Sequence, residues 1–273
     1  MNIYTFNRYY ATGKIIFLFL FAAILSFSCD KKNNTMNIFS IQDDIKFGRE
    51  FDNQIYASGE YIIASESQYP EAYARINCYK DRLLATGEVV YTDKFEWKVR
   101  IIKDDATVNA FSVPGGYLYF YTGLIRMMDN EAEFVGVMAH EMGHVACRHS
   151  TKQLTKVYGV DLLLSILLGK NENEWVKIVS DVGSGLLALQ FSRTDEYEAD
   201  KCAVKYTYPT DWDARGVGDF LSKLESQSSL VFLSTHPTDA QRITKINEEW
   251  RKLGGKQGEY FKTSYDTLKS VLP

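Results

Sequence analysis

Two of the chain's four histidines stand in His140-Glu141-Met142-Gly143-His144, an H-E-x-x-H run inside a stretch that reads as helix. On a helix, residues four apart share a face one turn apart, so two imidazoles can grip one Zn²⁺ while the intervening Glu faces water beside the metal. That is the chemistry of peptide hydrolysis. Such a site needs a third protein ligand and an open position. Downstream, Ser192-Arg193-Thr194-Asp195-Glu196-Tyr197-Glu198-Ala199-Asp200 sets Glu196 and Asp200 four apart, on one side of a second helix. Glu196 can bind the metal there, and Asp200 can accept the free ring N–H of a ligating His. Taken alone, the acidic run also reads as a solvated helix face, a reading that suits Asp195 and Glu198 better than Glu196.

The elements that must position these groups are legible around them. From Glu131 the chain reads EAEFVGVMAHEMGHVACRH, with Phe134, Val137, Met138, Glu141, His144 and Val145 at spacings of three and four, the period of a buried helical stripe. Asp129 or Asn130 can cap its start; Glu131 and Glu133 in the first turn, with Arg148 and His149 in the last, suit the helix dipole. Gly136 and Gly143 stand where a neighbouring backbone can pack closely. His149, about 140° around the helix from His144, is expected to face away from the metal and serve the helix end or a neighbouring element. Cys147 returns nearly to the face of His140 but is displaced along the axis, so it reads as a small buried side chain and not a ligand.

WKVRII and YLYFYTGLI read as strands, with Pro114-Gly115-Gly116 as a turn between them. The edge of such a sheet can take up an extended peptide through backbone hydrogen bonds. Before the sheet, Phe47, Phe51, Ile55, Ile62 and Ile63 mark a helical part that leads through Tyr73 to Leu84. VDLLLSILLG, whose apolar core runs from Leu162 to Leu168, is too short to cross a membrane and reads as a buried or cleft-flanking helix. A last helix is expected from Thr238 to Lys252, with the tail to Pro273 on the surface.

Four segments in this order resemble the HtpX and CAAX-prenyl-protease family of gluzincin metallopeptidases, in its small periplasmic, lipoprotein-type branch: NAFSVPGG from Asn109, HEMGHVACRH from His140, SRTDEYEAD from Ser192 and STHPTDAQRI from Ser234. The resemblance implies an α+β, zincin-like fold, mainly helical, with a small antiparallel or mixed sheet beside the active-site helix. It implies that His140, His144 and Glu196 bind one Zn²⁺ per chain, that Glu141 is the general base and that Asp200 supports a ligand from behind. It also gives roles to His236, which caps the metal in a resting form or donates to the oxyanion, and to Arg242, which holds that loop or offsets the same charge. Without the resemblance, His236 reads as an ordinary loop histidine before a proline. Asn109 and Phe111 are implied to face substrate.

At the N-terminus, Arg8 and Lys14 precede the apolar run Ile15–Phe27, the pattern of a signal-peptide core. Cys29 follows Ser28, which resembles a lipoprotein signal with Cys29 as the acylated residue; an ordinary secretory signal or an uncleaved anchor are the other readings. The expected organisation is a signal peptide over 1–28, a polar tether over 29–45 and a metallopeptidase domain over 46–273. The whole chain carries a net charge of −4, and no basic tract offers a nucleic-acid footprint. Cys78, Cys147 and Cys202 allow at most one intramolecular disulfide and no disulfide framework. The expected function is a zinc-dependent endopeptidase of the bacterial cell envelope, lipid-anchored with its domain in the periplasm. Its implied substrates are unfolded or misassembled envelope proteins, in contact with outer-membrane assembly machinery. The other reading is a non-catalytic chaperone or assembly-factor lipoprotein with a capped or structural zinc site.

Overall fold

The computed structural model describes residues 36–183, 190–224, 231–237 and 239–273. The expected signal segment and Cys29 lie outside the described residues. The tether expected to reach residue 45 ends earlier: Ile38 and Phe39 are buried, and helix α1 (Ile41–Ser58) opens behind a capping box in which Ser40 and Asp43 satisfy each other's backbone N–H. Phe47, Phe51 and Ile55 form its buried stripe, whereas Ile62, expected with them, lies beyond the helix and is exposed.

Helix α2 (Pro70–Leu84) leads to a three-stranded mixed sheet of β1 (Lys98–Ile102), β2 (Ala110–Val113) and β3 (Tyr117–Tyr121), in the order β1-β3-β2. The turn at Pro114-Gly115-Gly116 joins β2 to β3 as an antiparallel hairpin, so NAFSV is itself a strand; β1 instead pairs with β3 in parallel. Gly115 and Gly116 both take positive φ, which a side chain would resist. Strand β3 alternates between two cores. Leu118 and Phe120 face the larger one, while Tyr117, Tyr119 and Tyr121 face a smaller one shared with α1. The Gly-Leu-Ile expected to extend this strand forms a short helix, α3 (Thr122–Met127).

Helix α4 (Glu131–Ala146) is buried at every position, with the Asn130 side chain accepting from Glu133 N at its start. It ends two residues before Arg148, whose left-handed φ of 58° turns the chain into α5 (His149–Tyr158). The expected apolar helix is α6 (Val160–Leu167), which buries Leu163 and Ile166 beside α7 (Glu172–Gly183). Then follow α8 (Arg193–Thr207), α9 (Gly216–Leu224), α10 (Val231–Thr235), α11 (Ala240–Lys252) and α12 (Lys262–Ser270). No described helix is long and apolar enough to cross a membrane. The C-terminal tail is not a late surface layer: Tyr265 and Leu268 are fully buried, and Tyr265 Oη donates to Ile125 O at 2.7 Å. Its apolar side chains sit at a spacing of three, which lets α12 close the larger core.

Two glycines set how near the neighbours of α4 can come. A Cβ on Gly136 would lie 2.3 Å from Val217 N of α9, and one on Gly143 would lie 2.9 Å from Cys202 Cβ and 3.1 Å from Ala199 Cα of α8. Replacing Gly136 by Ala should therefore lower stability by about 1–3 kcal/mol through overpacking against backbone. An exposed helical Gly→Ala change does the opposite. A urea midpoint equal to or above that of the unaltered protein would disprove the constraint.

Candidate metal centre

His140 and His144 lie on successive turns of α4, and Glu196 and Asp200 on successive turns of α8, the helix that Gly143 lets approach. The fully buried His140, His144, Glu196 and His236 each direct a donor atom to one point, all within 4.8 Å of one another. His140 Nε2 lies 3.0 Å from His144 Nε2 and 3.3 Å from His236 Nδ1. Glu196 carboxylate oxygens lie 3.6 Å from His140 Nε2, 3.4 Å from His144 Nε2 and 3.1 Å from His236 Nδ1. Tetrahedral donors at zinc bond lengths are separated by about 3.3 Å, so the set fits such an ion.

The far side of each imidazole is also engaged. His140 Nδ1 is 3.0 Å from Asp200 Oδ1. His144 Nδ1 is 2.9 Å from His149 Nδ1, whose Nε2 reaches Glu198 Oε2 at 3.2 Å. With both Nδ1 atoms held from behind, both Nε2 lone pairs are free to converge. His149 stays outside this donor group, not through its angular position on the helix, which ends at Ala146, but because the left-handed turn at Arg148 folds it back behind His144. Phe191 stacks on the His144 ring at 4.0 Å between centroids.

Arg242 offsets part of the buried negative charge. Arg242 forks onto Asp200 with two bonds of 2.7 Å, reaches Glu196 Oε2 at 2.8 Å and donates to Pro237 O at 3.2 Å. Burial alone would raise the Asp200 carboxyl, yet the guanidinium outweighs it and holds the group below the ordinary range. Burial likewise opposes ionisation of Glu196, but His236 and His144 keep its carboxyl well down. Desolvation pushes His144 well below its usual value, leaving it the neutral imidazole a metal requires.

Glu141 faces the same space. Its Oε2 accepts from Ser112 Oγ at 2.8 Å, and the same hydroxyl lies 3.1 Å from Glu141 O, tying β2 to the H-E-x-x-H turn. The Glu141 Oε1 atom is 3.3 Å from His236 Nε2. Sequence reasoning missed Ser112, although it sits inside the quoted NAFSVPGG segment. Beside this cluster opens a cleft lined by Phe51, Tyr61, Asn109, Phe111, Phe191 and His236, among others. Phe111 stacks on Tyr119 at 4.6 Å, and Asn109 Oδ1 is buried without a hydrogen-bond partner among the described residues.

Residues 70–250 match the sequence model of peptidase family M48. Among characterised proteins, the mitochondrial metalloendopeptidase OMA1 of Schizosaccharomyces pombe is 31% identical over 160 residues, covering 57% of this chain and 47% of that protein. The beta-barrel assembly-enhancing protease of Yersinia pestis is 29% identical over 223 residues, covering 75% and 43%. The metalloprotease YcaL of Escherichia coli is 27% identical over 197 residues, covering 70% and 74%. The chain spans less than half the length of the first two.

Removing the guanidinium would strand two buried carboxylates. An Arg242→Met variant should lose about 3–5 kcal/mol of stability in chelator. Chemical denaturation of both proteins measures this, and a loss below about 1 kcal/mol would show that the fork is not what balances Asp200.

Proposed function

The chain belongs to peptidase family M48, and from that premise we propose that it is a zinc-dependent endopeptidase of the bacterial cell envelope, binding one Zn²⁺ through His140, His144 and Glu196. The observation that carries this reading is the meeting of three buried donors from two helices, with an acid, Glu141, beside them against His236. A zinc ion in that cradle would supply a Lewis acid for the scissile carbonyl and a more acidic water. Glu141 takes the proton from the attacking water and returns it to the leaving amine. Ser112 holds that carboxylate by its Oε2, which fixes the direction in which Oε1 faces. Asp200 orients His140, and Arg242 keeps Asp200 ionised.

Substrate lies as an extended strand along β2, the edge strand that carries Asn109's neighbours Ala110 and Phe111. Phe111 and Asn109 in the cleft wall contact it, the first through its ring and the second through its side-chain carbonyl. His236 has its Nδ1 among the donors, so we assign it the capping role: it closes the resting site and withdraws with its loop when substrate enters.

The finer placement rests on the four quoted motifs and the N-terminal segment. They favour the HtpX and CAAX-protease-like, lipoprotein-type branch, attached to the membrane through lipid on Cys29. Two of the relatives are a beta-barrel assembly-enhancing protease and a bacterial metalloprotease. Those names support unfolded or misassembled envelope proteins as substrates, near outer-membrane assembly machinery. The chaperone reading gives no use for Glu141, an acid held in register by Ser112 but outside the donor set.

The full chain should cleave a reduced and alkylated protein, stop on addition of a zinc chelator and resume with added zinc. Glu141→Gln should still bind one zinc per chain by metal analysis while cleaving about 10²–10⁴-fold more slowly; undiminished cleavage would remove this mechanism. His140→Ala should lose both zinc and activity. The cap has its own test, since His236→Ala should cleave faster than the unaltered chain. Slower cleavage would assign His236 to the oxyanion instead.

A further inference from the structure

Behind the metal centre, α4 and α8 bring together two thiols that the proposed chemistry does not use. Cys147 caps the C-terminus of α4, and Cys202 lies on α8 six residues beyond Glu196. Their Sγ atoms are 3.8 Å apart, and both residues are partly exposed. We propose that Cys147 and Cys202 form a thiol–disulfide exchange site, whose oxidised state is a covalent staple between the two helices that carry the metal donors. This inference does not depend on the peptidase reading.

The packing supports it. Cys202 Cβ lies 2.9 Å from where a Cβ on Gly143 would stand, so the cysteine sits at a close contact of the two helices. Cys147 follows Gly143 by four residues and returns to the same face. Closing the sulfurs to about 2.05 Å needs a movement of under about 2 Å, within reach of side-chain rotation. Cys78 is exposed on α2 and takes no part.

A competing use of Cys147 is as a cation ligand, since its sulfur groups with His149 and Glu198. A cation there would enter between His149 Nε2 and Glu198 Oε2, 3.2 Å apart, and take up the Cys147 sulfur, whereas a disulfide with Cys202 leaves the His149–Glu198 contact in place.

The oxidant is a disulfide, either a small-molecule one or that of an oxidoreductase, as an exported domain would meet. One thiolate of the pair attacks a sulfur of the oxidant, forming a mixed disulfide and expelling the first thiolate. The second cysteine, as thiolate, then attacks the protein sulfur of that bond and expels the other half of the oxidant. Two protein thiols are oxidised, one disulfide is reduced to two thiols, and the two protons pass to the released thiolates.

The test treats the folded full chain with excess oxidised glutathione, followed by non-reducing peptide mapping. A peptide holding Cys147 joined to one holding Cys202 is expected, and it should separate on reduction. In zinc chelator, the oxidised protein should melt on the order of 5–10 °C above the reduced one. Cys202→Ala should match the reduced protein and gain nothing from oxidant; if that variant does not fold, the peptide map of the unaltered chain decides. Recovery of Cys147 and Cys202 on separate peptides, or either joined to Cys78, overturns the proposal. So does a second bound zinc per chain that shields both thiols and is lost in Cys147→Ser, which would make the group a metal site.

Discussion

Buried negative charge at the contact of α4 and α8 is the constraint from which the rest of the centre follows. Glu141, Glu196 and Asp200 are all withdrawn from water, and Arg242 is the guanidinium that pairs with the last two. Isolated carboxylates at such depth are costly, so they are tolerated only where positive charge meets them. Arg242 answers Asp200 in full and Glu196 in part. What remains is a demand for a cation at the point where the imidazoles converge. His236 shows that demand: burial would suppress its protonation, yet Glu196 and Glu141 outweigh burial and raise its affinity for a proton. A divalent ion in the same place meets the demand without a proton, which is why neutral His144 and the displaced charge on His236 are consistent parts of one design.

The close contact that creates this density was visible in the sequence as two glycines in an otherwise good helix. Gly136 and Gly143 weaken α4 by propensity but remove the atoms that would hold α9 and α8 away. The alternation of three and four in the α4 stripe and the four-residue step from Glu196 to Asp200 were equally legible, because helical periodicity is a local property. The turn at Pro114-Gly115-Gly116 was legible too, and a plain hairpin was one reading of it; that NAFSV is the strand it joins to β3 was not. NAFSV is short and contains Asn and Ser, and its pairing with β3 depends on the two positive-φ glycines more than on strand propensity. Ser112 had no signal of its own, since a hydroxyl that reaches another element cannot be read from neighbours in the chain. His149 was misjudged in part for a related reason: its angular position assumed a continuous helix, and the left-handed Arg148 broke it. The buried α12 shows the same limit at larger scale, because a weakly apolar terminal segment gains its role only from the core it closes.

The loop carrying His236 is joined to this charge balance by Arg242. One nitrogen of the guanidinium reaches Pro237 O, next to His236, while the other two complete the fork onto Asp200. His236 itself is held by stacking on Phe232 at 4.6 Å and by the negative charge of Glu196 and Glu141. Bringing a dication to the donors removes much of the electrostatic hold on His236 but leaves the Asp200 fork intact. Among the described residues, the contacts that then hold the loop include the bond from Arg242 to Pro237 O and the stack of His236 on Phe232. Each is of the order of 1 kcal/mol. The donor set does not move with the loop, because Asp200, His149 and Glu198 hold the imidazoles of α4 from behind. A site built this way lets the loop that carries His236 shift without loosening the supports behind His140 and His144.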